Sequence, residues 1–161
     1  MNELDLKKNL SLSNPEFRSQ VVELENRINS LDKEHKIEPA DCPLKHLFSD
    51  GMYVREVTVP EGTLVIGKIH KHEHPAFLLK GEAWVVTEHD GVKKMEGPCS
   101  FISPAGVKRA VFAKTELIWT TVHLNPDNKK DLEKLEEENI AINYEEFDKF
   151  ITQKNIQQLK Q

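Results

Sequence analysis

Residues 62–81 read GTLVIGKIHKHEHPAFLLKG, and residues 97–106 read GPCSFISPAG. The first stretch holds β-branched and apolar residues between two glycines, and three of the chain's seven histidines fall inside it, at His70, His72 and His74. In an extended strand, residues two apart share a face and stand about 6.6 Å apart along the chain. Two imidazoles at that separation can converge on one metal ion at about 2.1 Å each. His74 lies twice as far from His70 and joins it only if the chain bends after His72, a bend that Pro75 favours. Imidazole suits Zn, Fe, Cu or Ni, so the ligand type does not choose the metal. The other use of the same pattern is a set of surface or crevice histidines beside Lys68, Lys71 and Glu73.

Outward from this stretch the middle of the chain alternates short β-rich runs with turns. Tyr53–Val59, Thr63–His70, Phe77–Thr87, Gly97–Ser103, Lys108–Ala113 and Glu116–Leu124 are expected strands. Pro60-Glu61-Gly62, Lys80-Gly81, Asp90-Gly91, Gly97-Pro98 and Pro104-Ala105-Gly106 separate them. Many short strands at near-regular spacing predict an all-β sandwich or barrel. His89-Asp90-Gly91 between Val85-Val86 and Met95 is a hairpin signal of the Asp-Gly type.

The flanks have a different character. Residues 1–43 carry 6 basic and 9 acidic side chains, as do residues 126–161, whereas residues 44–125 carry 10 basic and 9 acidic. The whole-chain net charge of −5 therefore belongs to the two ends. Asn14-Pro15 is a helix start, and Phe17, Val21, Leu24, Ile28 and Leu31 then form a narrow apolar stripe. Such a stripe packs on its own domain or acts as a short coiled-coil seam. Asp32–Pro43 reads as linker. After Pro126, Asp131–Asn139 is a charged helix, and Tyr144, Phe147, Phe150 and Ile151 mark a second amphipathic segment, with Gln157–Gln161 expected to fray. The division is an N-terminal helical arm and linker (1–43), a β body (44–125) and a C-terminal helical extension (126–161).

With these residues in view, 62–81 resembles the first motif of the cupin superfamily: a Gly, then His-x-His, a carboxylate and a closing Gly. Residues 97–106 resemble its second, a Gly followed by Pro-x-Gly, with a His beyond. The resemblance implies a double-stranded β-helix, the small RmlC-like jelly-roll barrel, over residues 44–125. The chain is also similar to short cupin proteins of bacteria and bacteriophages with no settled activity. Counted back from Gly81, the family's carboxylate falls on His74, its second histidine on His70 and its first on Lys68, which cannot ligate while protonated. Anchored on His70-Lys71-His72 instead, His-x-His is kept and the following loop is two residues shorter. Arg109 stands where the second motif has its histidine, and guanidinium is not a metal ligand. His123, on the strand that alternates Trp119, Thr121 and His123 onto one face, is the candidate replacement.

The resemblance thus implies a metal set drawn from His70, His72, His74 and His123 for a divalent transition metal (Zn, Fe, Ni or Mn). Lys68, Arg109 and Arg55 are ligand-binding candidates, because cations beside the imidazoles favour a small anionic molecule such as a carboxylate or phosphate. The expected function is a metal-binding cupin that binds, and in one version transforms, that molecule. The alternative is a non-catalytic structural or assembly protein, for instance of a phage particle, with the jelly roll as scaffold and the helices for self-association. A homo-oligomer is expected. Mild acidity argues against nucleic acid as partner, and no apolar run reaches the roughly 18 residues a membrane helix requires. No secretory h-region is evident, and two cysteines, Cys42 and Cys99, are too few for a disulfide framework. A cytoplasmic location is therefore expected, with the virion as alternative. Gly-rich phosphate loops, nucleophile elbows and Cys-x-x-Cys pairs are missing from the sequence.

Overall fold

Eleven strands and three helices make up the described residues, 14–35 and 40–159, of this computed structural model. Residues 1–13, where a leader was sought, part of the linker (36–39) and the terminal residues 160–161 lie outside them, as do the side chains of 31–35, Leu31 of the stripe among them. In chain order the elements are α1 (Pro15–His35), β1 (Leu44–Ser49), β2 (Met52–Val59), β3 (Leu64–Ile66), β4 (Ile69–His70), β5 (His74–Lys80) and β6 (Glu82–Thr87). They continue with β7 (Gly91–Glu96), β8 (Cys99–Ser103), β9 (Ala110–Ala113), β10 (Leu117–Leu124), α2 (Leu132–Asn139), β11 (Ile140–Ala141) and α3 (Tyr144–Gln158). All pairings are antiparallel. One sheet has the order β1-β2-β10-β5-β8, a second β3-β9-β6-β7, and β4 pairs only with β11. This is the expected all-β jelly roll with helices at both ends.

Register explains the layering of the five-stranded sheet. Residues directly opposite share a face, so Leu44, Val57, Trp119, Leu78 and Cys99 form one row across it. His46, Arg55, Thr121, Ala76 and Phe101 form the next. Phe48, Tyr53 and His123 lie in the third, with His74 opposite Ser103. Apart from exposed Leu44, the apolar row packs with Ala83, Val85, Val111 and Ala113 of the other sheet around fully buried Leu78 and Leu117. Each such side chain stabilises the fold by about 1.5–3 kcal/mol through removal from water. Along this face the sheet therefore runs from a dry core to a polar end.

Several boundaries differ from the sequence expectation. The run Thr63–His70 is cut at Gly67, whose N–H donates to the Arg109 carbonyl at 2.7 Å, so β3 belongs to the four-stranded sheet and β4 leaves it. Phe77–Thr87 is two strands, because Gly81 turns at φ +96° and a side chain there would overlap the Glu116 carbonyl. β7 is the second strand of the hairpin expected at Asp90-Gly91, β1 and β11 are strands outside the expected set, and α1 runs through Asp32 to His35, where linker was expected.

The helices begin as their capping residues dictate. Asn14 Oδ1 accepts from the Phe17 N–H at 3.1 Å, Asp131 caps α2 and Asn143 caps α3. Val21 of the α1 stripe is buried within the single chain, and Phe17, Leu24 and Ile28 are half-buried. Ion pairs Arg18–Glu88 (3.1 Å) and Lys108–Glu25 (3.0 Å) tie α1 to the barrel. No helix among the described residues is long and apolar enough to cross a membrane.

Candidate metal centre

Three strands bring three imidazoles together at the polar end of the barrel. His70 comes from β4, His74 from the first residue of β5 and His123 from β10. Their ring centroids lie 4.2 Å (His70–His74), 4.7 Å (His74–His123) and 5.2 Å (His70–His123) apart. One ligand nitrogen from each falls within 4.8 Å of the other two. His74 and His123 are buried and His70 is half-buried.

Hydrogen bonds fix how two rings are presented. His74 Nδ1 lies 3.0 Å from the His72 carbonyl, which can only accept, so Nδ1 carries the proton and Nε2 presents a lone pair. His123 Nε2 lies 3.0 Å from Thr121 Oγ1, whose own hydrogen points to the Arg55 carbonyl at 3.5 Å. The hydroxyl oxygen therefore accepts from Nε2–H and leaves Nδ1 of His123 unprotonated. His70 Nδ1 and His74 Nε2 are buried with no hydrogen-bond partner. Buried polar atoms are normally paired, so two orphaned imidazole nitrogens in one cluster need an account.

Burial holds all three rings neutral. Desolvation, followed by the neighbouring His74 and His123 and then Arg109 and Arg55, pushes the His70 pKa down to about 2. Desolvation, then His74 and Arg55, takes His123 to about 3. His74 is lowered too, chiefly by burial, against its bond to the His72 carbonyl. Neutral imidazole is the form that ligates a metal.

The other expected site residues are distributed around this cluster or away from it. His72 is exposed and meets the Phe150 ring of α3 edge-on at 5.3 Å, outside the cluster. The reason is the bend at Lys71-His72, which ends the alternation after His70. Lys68 is exposed and pairs with Glu136 of α2, on the outside of the barrel. Arg55 is half-buried, in the same row as Thr121. Arg109 is half-buried and donates to Ser103 Oγ at 2.9 Å, beside His74 in register. Its neighbour Lys108 points the other way, to Glu25 and the Gly67 carbonyl. Among the described residues, neither Arg55 nor Arg109 has an ion-pair partner, whereas Lys68, Lys71 and Lys108 do.

Two contributors were not anticipated. Tyr53, buried, stacks on His123 at 5.9 Å and bonds His46 Nδ1 through its hydroxyl at 2.8 Å. The alternation of β2 against β10 carries that signal, since Tyr53 and His123 are register partners. β11 was the other, and its two residues offer no periodicity to detect.

No protein-family model matches the sequence, and no curated protein matches it. Solved structures do. Ectoine synthase from P. lautus superposes at a TM-score of 0.50 with 15% identity, over 65% of this chain and 78% of that one. A cupin domain from Bordetella pertussis gives a TM-score of 0.44 with 16% identity, over 55% of this chain and 98% of that one. An RmlC-like cupin family protein from Methanocaldococcus jannaschii gives 0.45 with 14% identity, over 54% of this chain and 84% of that one. Strand order and the ectoine synthase superposition agree: the chain has the double-stranded β-helix fold of the cupin superfamily, which its two glycine-bounded stretches resemble.

Proposed function

We propose that this protein binds a divalent transition metal ion through His70, His74 and His123 and holds a small anionic molecule beside it. The observation that carries the proposal is the pair of orphaned, buried nitrogens, His70 Nδ1 and His74 Nε2, in a cluster of three imidazoles. Three neutral nitrogen donors with no carboxylate or thiolate among them suit Zn, Fe or Ni, with Mn the poorest match. When bound, the ion supplies Lewis acidity, polarising an oxygen of the molecule held next to it.

The chain's own residues do the rest. Thr121 and the His72 carbonyl hold two rings in the tautomer that offers a lone pair inward. Tyr53 packs against His123 and limits its rotation. Arg55 and Arg109, without carboxylate partners, provide the positive charge that recognises a carboxylate or phosphate, and their forks favour two-point contact.

Elemental analysis of protein purified without a metal-affinity tag tests this. About one transition metal ion per chain is expected, lost in His70→Ala/His74→Ala. Natively folded protein that contains no metal and takes up none of added Zn, Fe, Ni or Mn overturns the proposal.

A further inference from the structure

His74 and His123 stand in long strands of the five-stranded sheet, whereas His70 stands on a two-residue strand that, among the described residues, pairs only with β11 of the C-terminal segment. Beyond the contacts of the His70 ring with His74 and His123, the main-chain bonds of β4 and of the residue after it lead, among the described residues, to that segment or to the Gly106 turn on which it rests. His70 is in register with Ile140, and Ile69 with Ala141. The Lys71 N–H donates to the Asn139 carbonyl at 2.7 Å, and Lys71 Nζ reaches the Glu137 carbonyl at 2.8 Å and Glu146 at 2.7 Å. The His70 carbonyl accepts from the Gly106 N–H at 2.9 Å. Gly106, at φ +81°, lies flat against the Phe147 ring of α3, where a Cβ would collide with the ring. Buried Ile69, Ala141 and Phe147, with Ala105, Tyr144 and Ile151 around them, form a small core separate from the main one.

We propose that the C-terminal segment, residues 132–158, is a clamp that positions His70, so that metal binding and docking of the segment are one coupled equilibrium. The inference rests on the metal-centre reading for its ligand and on the packing alone for the clamp. Phe147 and Lys71 are positioning residues: Phe147 holds the Gly106 turn beneath the His70 carbonyl, and Lys71 ties the residue after His70 to α2 and α3. Release of the segment leaves His74 and His123 in place and removes the third nitrogen. Coupling is reciprocal, so an ion that requires His70 must tighten the segment in return.

Two measurements test this on the full chain. In metal-free protein, hydrogen exchange of Phe147→Ala is expected to show lost protection at residues 69–71 and 139–141, with β5 and β10 protected as before. Unchanged protection at 69–71 overturns the clamp whether or not any metal binds. In the second, zinc(II) affinity is measured by competition with a chromophoric chelator. Phe147→Ala and, separately, Lys71→Met are expected to weaken zinc about 10- to 100-fold, the usual effect of disturbing residues behind a metal ligand. In a His70→Ala background the same substitutions are expected to change nothing further. Added zinc is expected to slow exchange at 139–141 in the wild type. Additive losses in the His70→Ala background, or wild-type affinity in both variants, overturn the coupling. Wild-type protein that ignores zinc while Phe147→Ala still loses protection at 69–71 overturns the metal centre and leaves the clamp standing.

Discussion

The two halves of the imidazole cluster are held by different kinds of structure. His74 and His123 belong to strands of seven and eight residues inside a five-stranded sheet, the same face of which also carries main-core side chains. His70 belongs to a two-residue strand supported by the C-terminal segment through β11 and by a secondary core of three buried side chains. A ligand within a large sheet moves only if the sheet does, whereas a ligand on a small satellite can be released locally, because local stability follows local burial and pairing. The site therefore joins a rigid pair to an adjustable third member.

Substitutions on the two sides separate these roles. His74→Ala or His123→Ala is expected to abolish zinc uptake by elemental analysis. His70→Ala is expected to leave weak, rapidly lost binding to the rigid pair, so equal loss from all three removes the distinction.

Acid is the next largest effect. His70 and His123 are held at pKa values of about 2 and about 3, against an ordinary value of 6.5. Both folded values lie below the unfolded one, so between them the unfolded chain binds more protons and stability falls as pH drops. The stabilisation is complete above pH 6.5 and is lost progressively below it. Two such groups cost roughly 5 kcal/mol between pH 6 and pH 4, a large part of typical domain stability. Chemical denaturation of metal-free protein across that range is expected to show it. A His70→Leu/His123→Leu variant is expected to lose most of the pH dependence.

Smaller effects concern the cations and the orphaned nitrogens. With inorganic phosphate as probe, isothermal titration of zinc-loaded protein is expected to show about tenfold weaker binding in Arg109→Met and in Arg55→Met, the loss of a charge-assisted hydrogen bond. Lys68→Met, outside the barrel, is expected to bind as the wild type does. Last, His70→Leu removes a buried nitrogen that has no partner. It is expected to raise metal-free stability at neutral pH by about 1 kcal/mol in urea unfolding, while costing the third ligand.

Much of this arrangement was legible in the chain. The turns at Pro60-Glu61-Gly62 and Asp90-Gly91 delimit strands, and alternation puts Trp119, Thr121 and His123 on one face; Lys80-Gly81 also reads as a turn, although the expected strand Phe77–Thr87 spans it. The stop at Gly67 was not legible, because glycine in a β-rich run does not reveal that a neighbouring backbone, here Arg109, will take its N–H. Nor was β11: two residues between helices carry no pattern, and their strand character comes entirely from pairing with β4.

The sequence by itself determined an all-β body with helical ends, because turn residues and period-two alternation are local properties. It also set three histidines within five residues beside Pro75. Only the tertiary structure decided which of His70, His72 and His74 face inward. That choice depends on where the chain bends, and the bend at Lys71-His72 is made by long-range bonds to Asn139, Glu137 and Glu146. A partner some 70 residues away along the chain leaves no mark on the spacing of the histidines it positions.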